Sequence, residues 1–307
     1  MASGNDRLEP PERLLRALAG DEEAGPWLAA LPATCQEYLA HWELTPERVQ
    51  RPGGRRGMVV LVRQADGTPA ALKLTPPGRT VELEHAALAH WNGASAVRVL
   101  RAAPGAGALL LERLHGEVNL RSLPEPKAVL EASATLQRLW VRPPEEHPFP
   151  SVAEHTATLA QDLRRWRAEP WAADVRALID EALELREALT AGDGEEPYLL
   201  HGAYHQGKVL AGDRAPWLAV GPRPLAGERA YDLAWPVRDR LDTLLAAPGA
   251  AAAARRRVTK LADSLEVDRE RLRCWAVFRA AEAGVRELSL GARPAGELLL
   301  EFVQSIG

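Results

Sequence analysis

Lysine is scarce. Of the 38 basic side chains in this 307-residue chain only four are lysine, namely Lys73, Lys127, Lys208 and Lys260. Codon drift in a GC-rich genome produces this bias, so a lysine that persists is a candidate for a role a guanidinium does not fill. Cysteine is almost missing. Cys35 and Cys274 stand far apart and match no metal-ligand spacing, which excludes a disulfide framework and a zinc module and fits a reducing compartment. Excess positive charge is absent too: the formal net charge is −4, so neither nucleic acid nor an anionic membrane finds an electrostatic footprint. No apolar run approaches the length of a membrane span, and "MASGNDRLEPPERLLRALAG" has no apolar core of signal-peptide type. The expected location is the cytoplasm, with no nucleic-acid or membrane partner.

What is present is a chain 46% hydrophobic, enough for a large core in one bilobal unit or two modest domains. Residues 11–50 read as helical, with Leu14, Leu15 and Leu18 on one face and Thr45 an N-cap before "PERV". Residues 57–74 hold two apolar, β-branched runs around Asp66-Gly67, a hairpin signal. Residues 82–91 return to helical spacing, and 96–114 read as strand, turn, strand. From about residue 124 the helical candidates are 124–140, 151–168, 171–191, 229–247, 251–265, 268–290 and 294–305. One second hairpin, 208–220, interrupts them. The expected organisation is a helical extension (1–50) packed on a small β-rich N-lobe (51–114), followed by a large helical C-lobe (115–307). That order is α+β, the order of a protein-kinase-like bilobal fold.

The turn "RPGGRRG" precedes the first hairpin. Gly53, Gly54 and Gly57 there are candidates for letting backbone N–H groups approach nucleotide phosphates, although a glycine in a turn is ordinarily only a turn. Lys73, ending a strand between apolar neighbours, suits a phosphate-contacting ammonium that needs an acidic partner from the following helix. Glu84 is preferred for that partner over Glu82. The bland alternative is a strand-end lysine reaching for water.

Taken together, "GTPAALKL", "ELEHAALAHWNG", "GALLLERL", "LLHGAYHQGKVL" and "PLAGERAYDLA" resemble the aminoglycoside/hydroxyurea phosphotransferase family, in its streptomycin 6-kinase-like branch, over roughly residues 20–305. The resemblance implies a two-lobed, ATP-using small-molecule kinase, with Glu112 at the strand-to-linker passage joining the nucleotide-binding set. In that family the loop reads approximately H-G-D-L-H-x-G-N-V-L, and the following hairpin ends in D-P. His201, Gly202, His205 and Gly207 match this pattern. Ala203 stands at the catalytic aspartate, Lys208 at the metal-binding asparagine and Gly221 at the metal-binding aspartate.

Ala203 has no lone pair to accept a proton, and Lys208 and Gly221 remove oxygen ligands that Mg²⁺ requires. No metal is therefore expected. Among neighbours, Asp213 reads as a turn former, Asp232 as a group pinning the loop, and His205 as a structural histidine. Glu228 is a remote candidate for a metal ligand. Lys208 reads either as an arbitrary residue at a released site or as a fixed cation replacing the metal, so that ATP or ADP binds without Mg²⁺. Residues 258–278 have the outline of a helix-turn-helix but match the family's C-lobe helices. Most tryptophans read as core; Trp140, Trp166 and Trp171 are candidates for lining a substrate site. The resulting expectation is a catalytically degenerate kinase relative that binds a small molecule, a nucleotide or a protein partner. Its alternative is a working ATP-dependent phosphotransferase of antibiotics with displaced catalytic groups.

Overall fold

Asp66 and Gly67 turn the chain between two apolar strands. The Asp66 carboxylate accepts the Thr68 amide at 2.9 Å, and Gly67 takes φ 84°, where a Cβ would be strained. In the computed structural model, which describes residues 8–192, 197–246 and 248–307, this hairpin is the centre of a five-stranded antiparallel sheet. The elements are α1 (Glu12–Ala17), α2 (Ala24–His41), β1 (Thr45–Val49), β2 (Met58–Arg63), β3 (Pro69–Leu74), α3 (Arg79–Trp91), β4 (Val99–Ala103), β5 (Ala108–Glu112) and β6 (His115–Asn119). The sheet order is β1-β2-β3-β5-β4. Val60 and Val62, with Leu72, Leu74 and Leu110, share one core with Leu14, Leu31, Cys35 and Leu39 of the two helices. The period of two along the strands is what places these side chains together. Burial pushes the Cys35 thiol up to about 11.

One expectation is corrected here. Thr45–Val49 was expected to enter a helix, with Thr45 as N-cap; it is a strand, paired antiparallel with β2 from Thr45 opposite Arg63 to Val49 opposite Val60. A Thr-Pro-Glu start suits a helix locally, but edge pairing prevails, and an edge strand is where Pro46 costs no ladder bond.

The chain continues through α4 (Glu125–Leu139), α5 (Val152–Arg167), α6 (Arg176–Thr190) and β7 (Tyr198–Leu200). Ser151 and Glu154 form a reciprocal capping box that starts α5. Then β8 (Val209–Ala211) and β9 (Leu218–Ala219) form the second hairpin, and β8 pairs with β6. After it come β10 (Leu225–Gly227), paired with β7, and α7 (Arg229–Val237), α8 (Leu241–Ala246), α9 (Ala250–Leu265), α10 (Arg269–Ser289) and α11 (Arg293–Ile306). The helix expected over 229–247 is broken, because Pro236 stands inside α7 and Arg240 takes φ 54° beyond it. Residues 1–7 of the expected extension and residue 247 lie outside the described residues.

The chain divides into two compact units. One holds the residues up to 120 together with 209–221, and the other holds 121–208 and 222–307. The second hairpin, expected within the helical lobe, thus belongs with the sheet-bearing unit. Residues 258–278 form the end of α9 and the start of α10. Val258, Leu261, Leu265, Leu272, Trp275 and Phe278 are buried there, so this segment is core. Among the described residues no helix is long and apolar enough to cross a membrane.

Candidate functional site

In the first unit Lys73 sits near the end of β3, between Val59 of β2 and Leu109 of β5 in register. Its Nζ donates to both carboxylate oxygens of Glu84, at 2.5 Å each. The lysine side chain is 18% exposed and the glutamate 5%. Glu84 lies on the buried face of α3, whereas Glu82 is exposed, so the pairing is with Glu84. A pair this enclosed is costly to break, since removing either partner strands a charge away from water.

The glycine turn is packed by the chain itself. A Cβ on Gly53 would come within 2.7 Å of Pro11, and one on Gly57 within 2.7 Å of the Leu74 carbonyl. Gly54 is less confined, with the Gly57 carbonyl 3.2 Å from such a Cβ. Glu112 has its carboxylate occupied: it accepts the Arg98 amide at 2.7 Å and both Nη2 and Nε of Arg214, at 2.7 and 3.1 Å. It is a structural hub, and its own amide is bonded to the Arg98 carbonyl at 2.9 Å. Asp213, in the same hairpin turn as Arg214, pairs with His115 at 2.7 Å. Gly221 follows β9 at φ 61° and brings no side-chain oxygen.

In the second unit the segment from His201 to Lys208 follows β7 and is held at nearly every residue. Asp232 of α7, fully buried, accepts the His201 amide at 2.8 Å and the Gly202 amide at 2.9 Å, with Trp140 Nε1 at 3.4 Å. Burial raises its carboxyl above the usual range, against the lowering effect of those donors. From the other side Arg279 of α10 donates to the Gly202 carbonyl at 2.9 Å and the Tyr231 carbonyl at 2.7 Å. Both faces of this peptide are therefore fixed. Gly202 itself takes φ 71°, and a Cβ there would stand 1.9 Å from the Arg223 carbonyl oxygen. No other residue fits.

Beyond the glycine, Tyr204 donates its hydroxyl to the Ala132 carbonyl at 2.7 Å; burial raises its phenol well above the ordinary value. His205 stacks on Trp235 with ring centroids 5.5 Å apart and accepts the Gly207 amide on Nδ1 at 3.1 Å. That bond places the ring proton of the neutral form on Nε2. Gln206 donates its amide to Asp239 at 2.9 Å, and a 3₁₀ turn over Gln206–Lys208 closes with the Lys208 amide on the His205 carbonyl at 2.8 Å. Ala203 lies inside this brace, 5% exposed, with a methyl group and no acceptor.

The remaining candidates settle elsewhere. Glu228 accepts Nη2 and Nε of Arg271 at 2.6 and 2.7 Å and Trp275 Nε1 at 2.7 Å. This carboxylate is committed, which corrects its reading as a remote metal-ligand candidate. Trp140 is buried against Asp232, Trp166 is partly buried beneath Arg165, and Trp171 is exposed. Among the described residues no three His, Cys, Asp or Glu side chains stand together as a metal site. A Mg²⁺ ion, implied by the family pattern, does not fit what stands at positions 203, 208 and 221: a methyl, an ammonium and a glycine. Sequence reasoning missed Arg279, Arg214 and Asp239. A lone arginine inside the apolar run "WAVFRAA" was the available signal for the first.

This architecture defines a protein-kinase-like phosphotransferase fold. An aminoglycoside phosphotransferase, APH(4)-Ia, solved with ADP and hygromycin B, superposes with a TM-score of 0.61 at 15% identity, covering 88% of this chain and 97% of that one. The family model for aminoglycoside/hydroxyurea antibiotic resistance kinases matches residues 41–291, and the chain belongs to that family. It is 33% identical over 305 residues to streptomycin 6-kinase of Streptomyces glaucescens, covering 97% of each chain. It is likewise 33% identical over 280 residues to hydroxyurea phosphotransferase of Kitasatospora aureofaciens, covering 86% of this chain and 75% of that one.

Proposed function

We propose that this member of the aminoglycoside/hydroxyurea kinase family binds a nucleotide and a small molecule, and that phosphoryl transfer through the inherited groups is disabled. The observation that carries this reading is Ala203, a side chain with no acceptor on a loop whose backbone is otherwise fully braced. Nucleotide binding is supported by the Lys73–Glu84 pair and by a neighbour in fold. The solved aminoglycoside phosphotransferase binds ADP even in a variant with an aspartate changed to alanine, and another of its variants holds AMP-PNP. Loss of a general base costs about 10²–10⁴ in rate. Loss of the metal ligands removes stabilisation of the transferred charge as well, and such effects do not add simply.

A second reading is a working ATP-dependent phosphotransferase acting on an alcohol group, with its catalytic groups displaced. The relatives back it more directly than they back degeneracy: streptomycin 6-kinase and hydroxyurea phosphotransferase are both transferases, and the first aligns over 97% of both chains. One experiment separates the two. The pure protein is incubated with ATP, Mg²⁺ and either streptomycin or hydroxyurea, and phosphorylated product is sought by mass spectrometry, with Lys73→Ala alongside. Degeneracy gives no product and no resistance on expression. Product from wild type that disappears with Lys73→Ala establishes the working kinase. If no nucleotide binds at all, a protein-partner scaffold is the account that survives.

A further inference from the structure

We propose that the groove between α3 and β4 is a separate ligand site, which takes a small organic carboxylate with a short apolar body. The groove lies wholly within the first compact unit. The inference is independent of the nucleotide-binding reading above.

The groove holds about 320 Å³, at the lower end of the roughly 300–1,000 Å³ usual for small-molecule sites. His85, Leu88, Ala89 and Asn92 line it from α3. Helical spacing puts these four on one face. Arg98, just before β4, and Leu100 within it line the strand side. The lining is thus half apolar and half polar, and no carboxylate takes part in it. Glu82, a turn before His85, is exposed and outside the lining. Arg101 touches the groove as well, but its Nη1 is committed to the Trp42 carbonyl at 2.9 Å.

Arg98 is the group that selects the ligand. The structural role at the end of α3 belongs to Arg214, which donates to the Gly93 and Ala96 carbonyls at 2.7 and 3.1 Å. Arg214 also binds Glu112 through Nη2 and Nε, and the Arg98 amide takes a further bond to the same carboxylate. The Arg98 guanidinium stands next to this arrangement. Its Nε is 3.2 Å from where a Cβ of Gly93 would be, and Arg214 Nη2 is 3.3 Å from the same point. Gly93, at φ 81°, therefore leaves room for a second guanidinium beside the first. Among the described residues no carboxylate pairs with the Arg98 side chain. An anion in the groove relieves the repulsion between the two cations, and a carboxylate matches the guanidinium fork with paired, charge-assisted bonds. Asn92 and His85 add hydrogen-bonding groups, and Leu88, Ala89 and Leu100 offer an apolar wall to the rest of the molecule. A ligand held there would tie β4 to α3, the helix that carries Glu84 to Lys73.

The test is an NMR titration of the isotope-labelled full chain with hexanoate, following backbone amide shifts, with hexanol and inorganic phosphate as controls. It is repeated on Arg98→Gln, Arg98→Lys and Ala89→Trp, after melting curves confirm that each is folded. The expected result is a saturable shift confined to α3, β4 and the turn between them. Arg98→Gln should weaken hexanoate binding about tenfold or more, with partial rescue by Arg98→Lys. Ala89→Trp, on an exposed helix position, should fill the groove and abolish binding while leaving Arg98 in place, so it decides the matter if Arg98→Gln fails to fold. Hexanol and phosphate each carry half of the required chemistry and should bind at least about tenfold more weakly than hexanoate. No saturable shift with hexanoate overturns the inference. So does wild-type affinity in Arg98→Gln or Ala89→Trp, and so does hexanol or phosphate binding as well as hexanoate.

Discussion

The Lys73–Glu84 pair and the His201–Lys208 loop are held together in different ways. In the first the charged atoms themselves meet, two oxygens around one ammonium. In the second the backbone is what is held, with Asp232 beneath two amides, Arg279 on the carbonyl and Asp239 at the far end. The difference is physical. Lys73 and Glu84 are partly buried and mutually dependent, so neither changes without stranding the other. In the loop the brackets come from other residues, while Ala203 is buried with only a methyl group to offer. The residues that fix the shape of the loop are thus separate from Ala203, Lys208 and Gly221.

The largest way to break this contrast is Asp232→Ala. It removes the acceptor from two buried amides and the counter-charge near Arg279, and is expected to cost about 3–5 kcal/mol, read as a lower urea midpoint. Hydrogen exchange should rise in the second unit and stay unchanged across β1–β5. Full stability in this variant would mean the loop brackets are incidental. Next comes Lys73→Ala, expected to cost about 2 kcal/mol by leaving Glu84 buried without its cation. Here the added exchange should appear in α3 and β3. Lys73→Ala with Glu84→Gln should recover part of that loss, and a double variant worse than the single one would show that the pair is not coupled.

The smallest effect concerns His155, which packs edge-on against Tyr231. Burial, then the charges of Arg279 and Arg223, hold its imidazole down to about 4. The unfolded chain takes up a proton near its ordinary value of 6.5, the folded one only near 4, so the stability it confers is complete above 6.5 and is lost as pH falls towards 4. After allowing for partial exposure, about 1 kcal/mol is at stake. His155→Gln should flatten the melting-temperature profile over that window, and an unaltered acid limb would remove His155 from the account.

Much of the fold was legible because long amphipathic segments and a strong turn carry their own signals. The helices expected over 124–140, 251–265 and 268–290 lie within a residue or two of α4, α9 and α10. The short strands β6, β7 and β10 were not legible, since three to five residues give periodicity no room. Thr45–Val49 was misread because its local preference opposes its pairing. In the site, lysine scarcity singled out Lys73, and the helical position of Glu84 supplied its partner. The roles of Glu112 and Glu228 were hidden, because Arg214 and Arg271 reach them from 102 and 43 residues away. Long-range pairing of this kind leaves no trace in a local window.

The membership of the second hairpin sets a timetable for synthesis. The sheet-bearing unit comprises residues up to 120 and then 209–221, so β6 emerges from the ribosome well before β8, its pairing partner. Glu112 waits equally for Arg214, 102 positions later. At about 5–20 residues per second that interval is roughly 5–20 s. During it β1–β5 can assemble on α1 and α2, while the edge of β6 and the Glu112 carboxylate stay open until the second unit has been more than half translated. A stalled or truncated chain ending before residue 209 would therefore present an unpaired strand edge, the kind of surface on which chaperones and aggregation compete.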